Sequence, residues 1–328
     1  MNIDQLRQGV NTALLKQVGS NCAVISEIDD QLIPIANSLK DYLSEGKRFR
    51  PIFSLLGYLG ANGQLTDSVY EAASALEFLQ ASALIHDDLM DGSDTRRGKP
   101  AIHKQFGDAA AILIGDLALV WNEQTLHLSG LSSPAVNAIH DIMRTELMAG
   151  QFLDVYEQTQ KSYSVERSLK IARYKSGKYS IERPLHYGAA LAKPDDLENY
   201  YAIYSEYGLP LGEAFQLRDD LLGVFGDPDA TGKPAGDDLR EGKRTALIAY
   251  AYDRGDSALK KLIETKLGTN DINGLADAIA ESGAVTHVED LIEKLSEQAL
   301  DAIEREEVNS DAKRLLIEMV SLVTKRTR

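Results

Sequence analysis

Apolar residues recur at helical spacing along almost the whole chain, and this periodicity is the strongest constraint on its fold. Alternating runs rich in Val, Ile and Thr, which would indicate strands, are missing. The periodic segments predict helices over residues 4–17, 24–43, 51–59, 66–91, 109–128, 132–157, 165–191, 197–224, 244–253, 256–267, 272–282, 284–304 and 310–324. The sequence therefore predicts one all-α domain over residues 1–328, with helices long enough to form a bundle around a deep central cavity.

Composition narrows the possible partners and the location. The 328 residues include 35 Lys and Arg against 50 Asp and Glu, a formal net charge of −15, which argues against binding to nucleic acid. The single cysteine, Cys22, excludes an intramolecular disulfide and fits a reducing compartment. No uncharged apolar run approaches the roughly 20 residues that a membrane span needs. We expect a cytoplasmic protein that holds any anionic substrate through local basic clusters or bound cations.

The clearest chemical motif is HDDLMD at residues 86–91, near the end of a predicted apolar helix. At about 100° per residue, Asp87 and Asp91 lie about 40° apart, and Asp88 lies within about 100° of both. Carboxylates this close repel each other and raise each other's pKa unless a cation lies among them. Oxygen ligands without His or Cys suit Mg²⁺, which completes its shell with water and phosphate.

A second aspartate pair, Asp219 and Asp220, lies on another long predicted helix, one turn after Gln216. An isolated Asp pair more often caps a helix or simply solvates a surface. Here both pairs border strongly apolar stretches, and each is followed by a loop that contains Arg, Lys and Gly. This recurrence favours a metal site over two unrelated surface pairs.

These motifs occur in the order known from one family. HDDLMDGSDTRRGKP and FQLRDDLLGVFGDPDATGKPAGDDLREGKRT, with EGKRFRP at 45–51 and MAGQFLD at 148–154, resemble the trans-isoprenyl diphosphate synthases, or polyprenyl synthetases, most of all the bacterial geranylgeranyl type. The resemblance implies an isoprenoid-synthase helical bundle and a homodimer. It also implies Mg²⁺-dependent, head-to-tail condensation of isopentenyl diphosphate with dimethylallyl, geranyl or farnesyl diphosphate, which gives a linear trans-polyprenyl diphosphate.

The resemblance also implies metal roles for the aspartates. About three Mg²⁺ ions are expected, two held by Asp87 and Asp91 and one by Asp219. Catalytic or water-mediated roles would fall to Asp88, Asp220 and Asp227. The family's second motif often reads DDxxD, whereas the fifth position here is Gly223. Asp227 would lie about 12 Å beyond Asp219 along a continued helix, too far to share its metal shell directly.

Basic residues supply candidate diphosphate sites. Lys47 and Arg50 come just before a predicted helix start at Pro51. The positive end of a helix suits a diphosphate, although a solvated basic turn would look the same. Arg96 and Arg97 could each serve one of two neighbouring diphosphates. By resemblance, the residues that bind isopentenyl diphosphate are Lys47, Arg50, Gln80 and Arg97. By resemblance, the residues that bind the allylic diphosphate are Arg96, Lys175, Ser176, Gln216, Lys233 and Lys243.

The product chain is expected to grow from Asp87 back along its own helix. Family members that stop at fifteen carbons commonly carry an aromatic residue at one of the positions of Ser82 and Ala83, and that plug is missing here. Leu79 and Phe78 lie one turn deeper, about 5.4 Å along the helix. We therefore predict geranylgeranyl diphosphate, with farnesyl or longer products as alternatives. Ser82 and Ala83 could instead be packing positions, with the floor supplied by other helices.

Three other functions fit parts of the pattern. A terpene cyclase needs no second diphosphate site, so GKRFRP, Gln80 and the Arg96–Arg97 pair argue against it. A head-to-head coupling enzyme would show wider aspartate spacing than DDLMD. A catalytically silent regulatory subunit would be expected to lose metal or substrate residues, and nearly all are present. Prenyl chain elongation is the function that the sequence predicts.

Overall fold

The computed structural model describes residues 1–160, 162–228 and 234–326. Its α-helices are α1 Ile3–Ile28, α2 Ile33–Ser44, α3 Phe49–Gly60, α4 Asp67–Asp91, α5 Ile102–Phe106, α6 Asp108–Leu128, α7 Pro134–Gln158, α8 Val165–Ala172, α9 Arg183–Ala192, α10 Leu197–Phe225, α11 Asp237–Glu241, α12 Ala246–Arg254, α13 Ser257–Lys266, α14 Leu275–Glu281, α15 Ala284–Arg305 and α16 Ser310–Thr324. A short 3-10 helix, Asp30–Leu32, precedes α2, and a π-helical segment, Arg173–Glu182, joins α8 to α9. In the described ranges, no helix is both long and apolar enough to cross a membrane.

The all-α prediction is confirmed, and its main error lies near the N-terminus. A break was expected between residues 17 and 24, but α1 continues to Ile28 because Val18, Cys22 and Ile25 extend its buried stripe. The chain turns instead at Asp29, whose side chain caps the short 3-10 helix before Pro34. Pro34 lies in the first turn of α2, where its missing N–H costs little.

The predicted helix over residues 165–191 is continuous but changes its backbone geometry midway. The π-helical segment inside it packs on α10 at Gly177 and Gly212, where a Cβ on Gly212 would lie 2.6 Å from the Gly177 carbonyl oxygen. Such wide turns re-aim side chains and often occur at functional sites. Here the wide turn carries Lys175 and Ser176, which both border the central cavity.

Helix α4 runs through the middle of the molecule. One side of it packs with α1, α2 and α6 around Phe78 and Trp121, and the other packs with α7 and α9 around Leu79 and Tyr187. A helix buried on both sides needs small residues along it, and α4 supplies them between Ala72 and Ala83. Its C-terminal end, which carries the first aspartate cluster, is thereby fixed at the cavity.

Helix α10 belongs to both remaining core groups. Its first half packs with α3, α9 and α16 through Tyr204 and Tyr207, and its second half packs with α12 and α15 through Leu217 and Leu221. The C-terminal helices are therefore joined to the rest through one continuous element. The single domain stays a prediction.

Helices α3 and α9 approach each other closely enough to exclude side chains at two glycines. A Cβ on Gly57 would lie 2.2 Å from the Leu185 carbonyl oxygen, and one on Gly188 would lie 1.9 Å from that of Ser54. Because both obstacles are backbone atoms, they cannot rotate away.

We expect Gly188→Ala to destabilise the protein by about 1–3 kcal/mol through overpacking. Gly19→Ala, on α1, is the matched control, because nothing lies within 4 Å of its Cβ position. That change should stabilise the protein by roughly 0.5–1 kcal/mol through helix propensity. Thermal melting of both variants measures the contrast, and equal melting temperatures would contradict the packing described for α3 and α9.

Candidate active site

The residues singled out in the sequence converge on one cavity of about 930 Å³, bordered by α4, α10 and the π-helical segment. The predicted site residues that line it are Lys47, Arg50, Gln80, Ala83, Asp87, Arg96, Arg97, Lys175, Ser176, Gln216, Asp219, Asp220 and Lys243. Lys233 falls outside the described residues. Side chains from both aspartate clusters therefore line the same cavity as most of the predicted basic residues.

Asp87 is the member of the first cluster that lines the cavity. Its Oδ1 accepts hydrogen bonds from Gln151 Nε2 at 2.8 Å and from Lys175 Nζ at 3.0 Å. Burial alone would raise the pKa of this carboxyl, but neighbouring positive charges, Lys175 foremost, hold the pKa well below its usual value. Asp87 is therefore held ionised.

Asp88 and Asp91 have side chains that are each 1% exposed, and neither lines the cavity. Arg96 Nε donates to Asp88 Oδ1 at 2.9 Å and lies 3.1 Å from Oδ2, so Asp88 orients this arginine. Lys243 Nζ lies 2.9 Å from Asp91 Oδ2 as an ion pair, yet neither Asp91 oxygen accepts a well-directed hydrogen bond from the described residues. Burial raises the pKa of Asp91 to about 6 despite Lys243.

The donors present fit Mg²⁺. The first cluster occupies the last turn of α4, and the second lies near the C-terminal end of α10, where helix dipoles add negative potential. Among residues 1–160, 162–228 and 234–326, no three His, Cys, Asp or Glu side chains form a ready cage for a metal. Mg²⁺ typically takes only one or two carboxylates and shares its shell with water and phosphate. The underused buried oxygens of Asp91 are further potential ligands.

The second cluster divides its two carboxylates between different tasks. Asp219 lines the cavity and forms a short ion pair with Arg326, near the C-terminus. Asp220 is 3% exposed and accepts hydrogen bonds from Gln216 Nε2 at 2.8 Å and from the Ala246 N–H at 3.1 Å. Burial raises the pKa of Asp220 to about 7. Asp220 thus ties α10 to the start of α12, and Asp219 is the more exposed acid.

The spacing of about 12 Å between Asp219 and Asp227 assumed a continued helix, and that assumption is wrong. α10 ends at Phe225, and Gly226 has extended backbone angles of φ −65° and ψ 145°. Pro228 disfavours a helical conformation for the residue before it. Asp227 is exposed and does not line the cavity.

The basic GKRFRP segment has a structural arginine at its centre. Arg48 adopts a left-handed backbone with φ 59°, is 2% exposed, and pairs with Glu77 at 2.7 Å. A buried pair of this kind holds the loop before α3 in place, because loss of either partner would leave the other charge buried and unpaired. Pro51 was expected to begin the next helix, but α3 begins at Phe49, which puts Pro51 still within its first turn.

Lys47 and Arg50, on either side of Arg48, border the cavity as predicted. The Arg50 guanidinium lies 4.3 Å from the centre of the Tyr179 ring and donates to Ser180 Oγ at 2.7 Å. The Tyr179 hydroxyl in turn donates to Gln80 Oε1 at 2.9 Å. This contact turns the amide nitrogen of Gln80 away from Tyr179 and leaves it able to donate.

Arg96 and Arg97 lie on a short hairpin inside the predicted loop at 91–100. Strand β1 Thr95–Arg96 pairs with β2 Lys99–Pro100, and the turn residues Arg97 and Gly98 both have positive φ, as a type I′ turn requires. Arg97 donates to the carbonyl oxygens of Tyr42 at 3.0 Å and Glu45 at 2.8 Å. The hairpin thus directs Arg96 to Asp88 and Arg97 to the loop after α2.

Several residues that line the cavity were not assigned from the sequence, among them Gln151, Asp154 and Tyr179. Asp154 pairs with Lys175 at 2.6 Å, and Lys175 also pairs with Asp87 at 3.0 Å. The segment MAGQFLD gave a signal for Gln151 and Asp154, but no role. Tyr179 follows Lys175 by four residues, and both side chains line the cavity.

On the turn of α4 before Asp87 the cavity lining is apolar, with Ala83 and Leu84, and Leu147 of α7 also lines the cavity. The other residues expected in the chain-length pocket are fully buried in the core and do not line the cavity: Phe78, Leu79 and Ser82. Phe78 contacts Trp121 edge to face, with ring centres 5.9 Å apart. Phe78 and Leu79 pack against neighbouring helices, whereas Ala83 of α4 and Leu147 of α7 line the cavity.

The chain is similar to solved and curated proteins of one kind. A crystal structure titled geranylgeranyl pyrophosphate synthase from Corynebacterium glutamicum, complexed with isoprenyl diphosphate and magnesium, superposes with a TM-score of 0.93 at 37% identity, covering 99% of this chain and 100% of that one. A geranylfarnesyl diphosphate synthase of Aeropyrum pernix is 31% identical, covering 86% of this chain and 91% of its own length. A geranylgeranyl diphosphate synthase of Sulfolobus acidocaldarius is also 31% identical, covering 82% and 83%.

The family model described as polyprenyl synthetase matches residues 34–281. The matched range contains both aspartate clusters, GKRFRP, the hairpin arginines and the π-helical segment, which together form most of the cavity wall. Sequence motifs, cavity geometry and these similarities agree. The chain therefore belongs to the polyprenyl synthetase family and is a prenyltransferase.

Proposed function

We propose that this prenyltransferase condenses isopentenyl diphosphate with an allylic diphosphate, in the presence of Mg²⁺, to give geranylgeranyl diphosphate. The observation that carries the proposal is the composition of the cavity wall. Carboxylates from two helix ends and at least six cationic side chains surround its polar part, while Ala83, Leu84 and Leu147 line an apolar end. A substrate with a diphosphate head and a hydrocarbon tail matches both halves.

Asp87 and Asp91 would hold two Mg²⁺ ions, and Asp219 a third, about three in all. Bound Mg²⁺ would neutralise the leaving diphosphate. Asp88 would keep Arg96 directed at the same diphosphate, a role that its buried hydrogen bonds support. Lys175, Lys243 and Arg326 pair with the aspartates, and substrate binding would move these cations onto phosphate oxygens.

We assign the isopentenyl diphosphate to Lys47, Arg50, Gln80 and Arg97. Tyr179 supports this assignment because it orients both Arg50 and Gln80. The allylic diphosphate would contact Arg96, Lys175, Ser176, Gln216 and Lys243, with Lys233 as a further candidate. An apolar, closed floor would keep water from an allylic cation, which would otherwise end as an alcohol. A silent regulatory subunit is disfavoured because this set of candidate residues is intact.

We expect Asp87→Asn and Asp219→Asn to lower the rate of condensation on the order of 100-fold or more, because ligands and their supporting shell control metal affinity. The measurement is product formation from isopentenyl diphosphate and dimethylallyl, geranyl or farnesyl diphosphate, with mass spectrometry and a Mg²⁺ titration. Asp253→Asn, an exposed change on α12, is the charge-matched control. Wild-type rates in both site variants would overturn the assignment of the metal site.

Product length is the finer part of the proposal. The relatives at 31% identity carry names with twenty-carbon and twenty-five-carbon products, so identity does not select between them. The small side chain of Ala83 leaves the first turn below Asp87 open, and Leu147 limits depth from the facing helix α7. A floor at this depth favours geranylgeranyl diphosphate over farnesyl diphosphate.

We expect Ala83→Phe to shift the product toward fifteen carbons, because the aromatic ring would fill the deep end of the cavity. Leu147→Ala should lengthen the product by removing part of the floor. Ser82→Phe is the informative comparison, since Ser82 is fully buried outside the cavity and its enlargement should cost about 1–3 kcal/mol of stability by overpacking. An active Ala83→Phe enzyme with unchanged product mass would show that the floor lies elsewhere.

We further propose a cytoplasmic homodimer. Large apolar side chains are exposed along α6 and α7, including Leu113 at 68%, Val120 at 61% and Phe152 at 69%. They recur at helical spacing along one side of each helix, and Met148 and Tyr156 extend the α7 stripe. An apolar surface formed by two adjacent helices is typical of a self-complementary interface.

The dimer is tested by light scattering after size exclusion. Wild-type protein should show twice the chain mass of 36.0 kDa, and Leu113→Asp with Phe152→Asp should show the mass of one chain. Leu322→Asp, an exposed apolar residue at 40% on α16, is the control and should remain dimeric. A wild-type monomer, or a dimer that survives the double change, would contradict this interface.

A further inference from the structure

The second aspartate cluster lacks the fifth-position carboxylate of DDxxD, and the structure shows what occupies its space. A Cβ built on Gly223 would lie 1.9 Å from Asp238 Oδ2 and 2.3 Å from its Cγ. The carboxyl group of Asp238 thus fills the volume that a side chain at residue 223 would enter. Gly223 is not merely a loss of a ligand, because its bare backbone makes room for an acid from another element.

Asp238 reaches this position from α11, which follows the Gly/Pro-rich loop. Gly236 begins that helix with a left-handed backbone at φ 71°, which turns the chain back toward α10. The Asp238 side chain is 15% exposed and borders the cavity together with Asp219 and Gly223. Two carboxylates, from α10 and from α11, therefore reach the same part of the cavity.

Lys243 links this acid to the first cluster. Its Nζ lies 3.6 Å from Asp238 Oδ1 and 2.9 Å from Asp91 Oδ2. Asp220, by contrast, directs both oxygens to Gln216 and to the backbone of Ala246. Glu241 also pairs with Lys243, at 2.6 Å, but it does not line the cavity, whereas Asp238 does. Asp238, unlike the second residue of the DD pair, therefore shares a cation with the first cluster at the cavity wall.

We propose that Asp238 is the second carboxylate of the metal site built on Asp219, in place of the missing acid at residue 223. The inference rests on the proposed function, because it assigns a residue to the Mg²⁺ site of that function. A pair of carboxylates with water and diphosphate oxygens completes the shell that Mg²⁺ prefers. Asp220 then serves to anchor α12, and Asp227 has no part in the site.

The test measures Mg²⁺-dependent binding of inorganic diphosphate by calorimetry, alongside condensation activity. We expect Asp238→Asn to weaken the Mg²⁺-dependent binding of diphosphate on the order of 10- to 100-fold. Asp253→Asn removes the same charge from an exposed position on α12 that does not line the cavity, and this variant should bind as wild type does. Melting curves without ligand should match for both variants, which separates the effect from misfolding.

A reciprocal exchange provides the decisive comparison. Gly223→Asp combined with Asp238→Gly supplies the carboxylate from α10 and should bind Mg²⁺ and diphosphate more tightly than Asp238→Asn does. Wild-type-like binding by Asp238→Asn, with wild-type condensation intact, would overturn the role of Asp238 and leave the proposed function standing. A wild-type protein that neither binds diphosphate with Mg²⁺ nor condenses the substrates would overturn both.

Discussion

Carboxylates buried at the C-terminal end of a helix require positive charge nearby, and the cavity half of this protein depends on meeting that requirement. The last turn of α4 carries three acids, and each is matched by a cation from a different part of the chain. Asp87 meets Lys175 of the π-helical segment, Asp88 meets Arg96 of the hairpin, and Asp91 meets Lys243. Three separate elements are thereby held around one helix end.

This charge arrangement also bears on the proposed chemistry. The cations that pair with the aspartates are largely those assigned to diphosphate. Mg²⁺ would therefore replace them at the aspartates while they turn to the diphosphate, without a change in the helices that carry them. Two features hold these helices in place. Arg48 and Glu77 form a buried pair beneath the basic loop, and the glycine contacts between α3 and α9 leave no space for sliding.

Much of this could be predicted from the sequence because the signals are local. Apolar spacing gave the helices, with α16 matched at both ends, and the spacing in HDDLMD indicated three acids at one helix end. The errors lie where tertiary packing decides the bounds or the geometry of a helix. The stripe of α1 continues past its predicted break because α2 and α4 cover it, and the π-helical turn depends on the close approach of Gly177 to Gly212.

The sequence by itself determined the helical class, the family and the acidic and basic residues of the site, because residue type and short spacing carry that information. Tertiary structure alone decided how those residues divide their tasks. Asp220 is used as an anchor, Leu147 shares the cavity floor, and Asp238 enters the space beside Gly223 from a segment fifteen positions along the chain. Such assignments depend on distances between separate elements, which helix packing sets and local sequence does not encode.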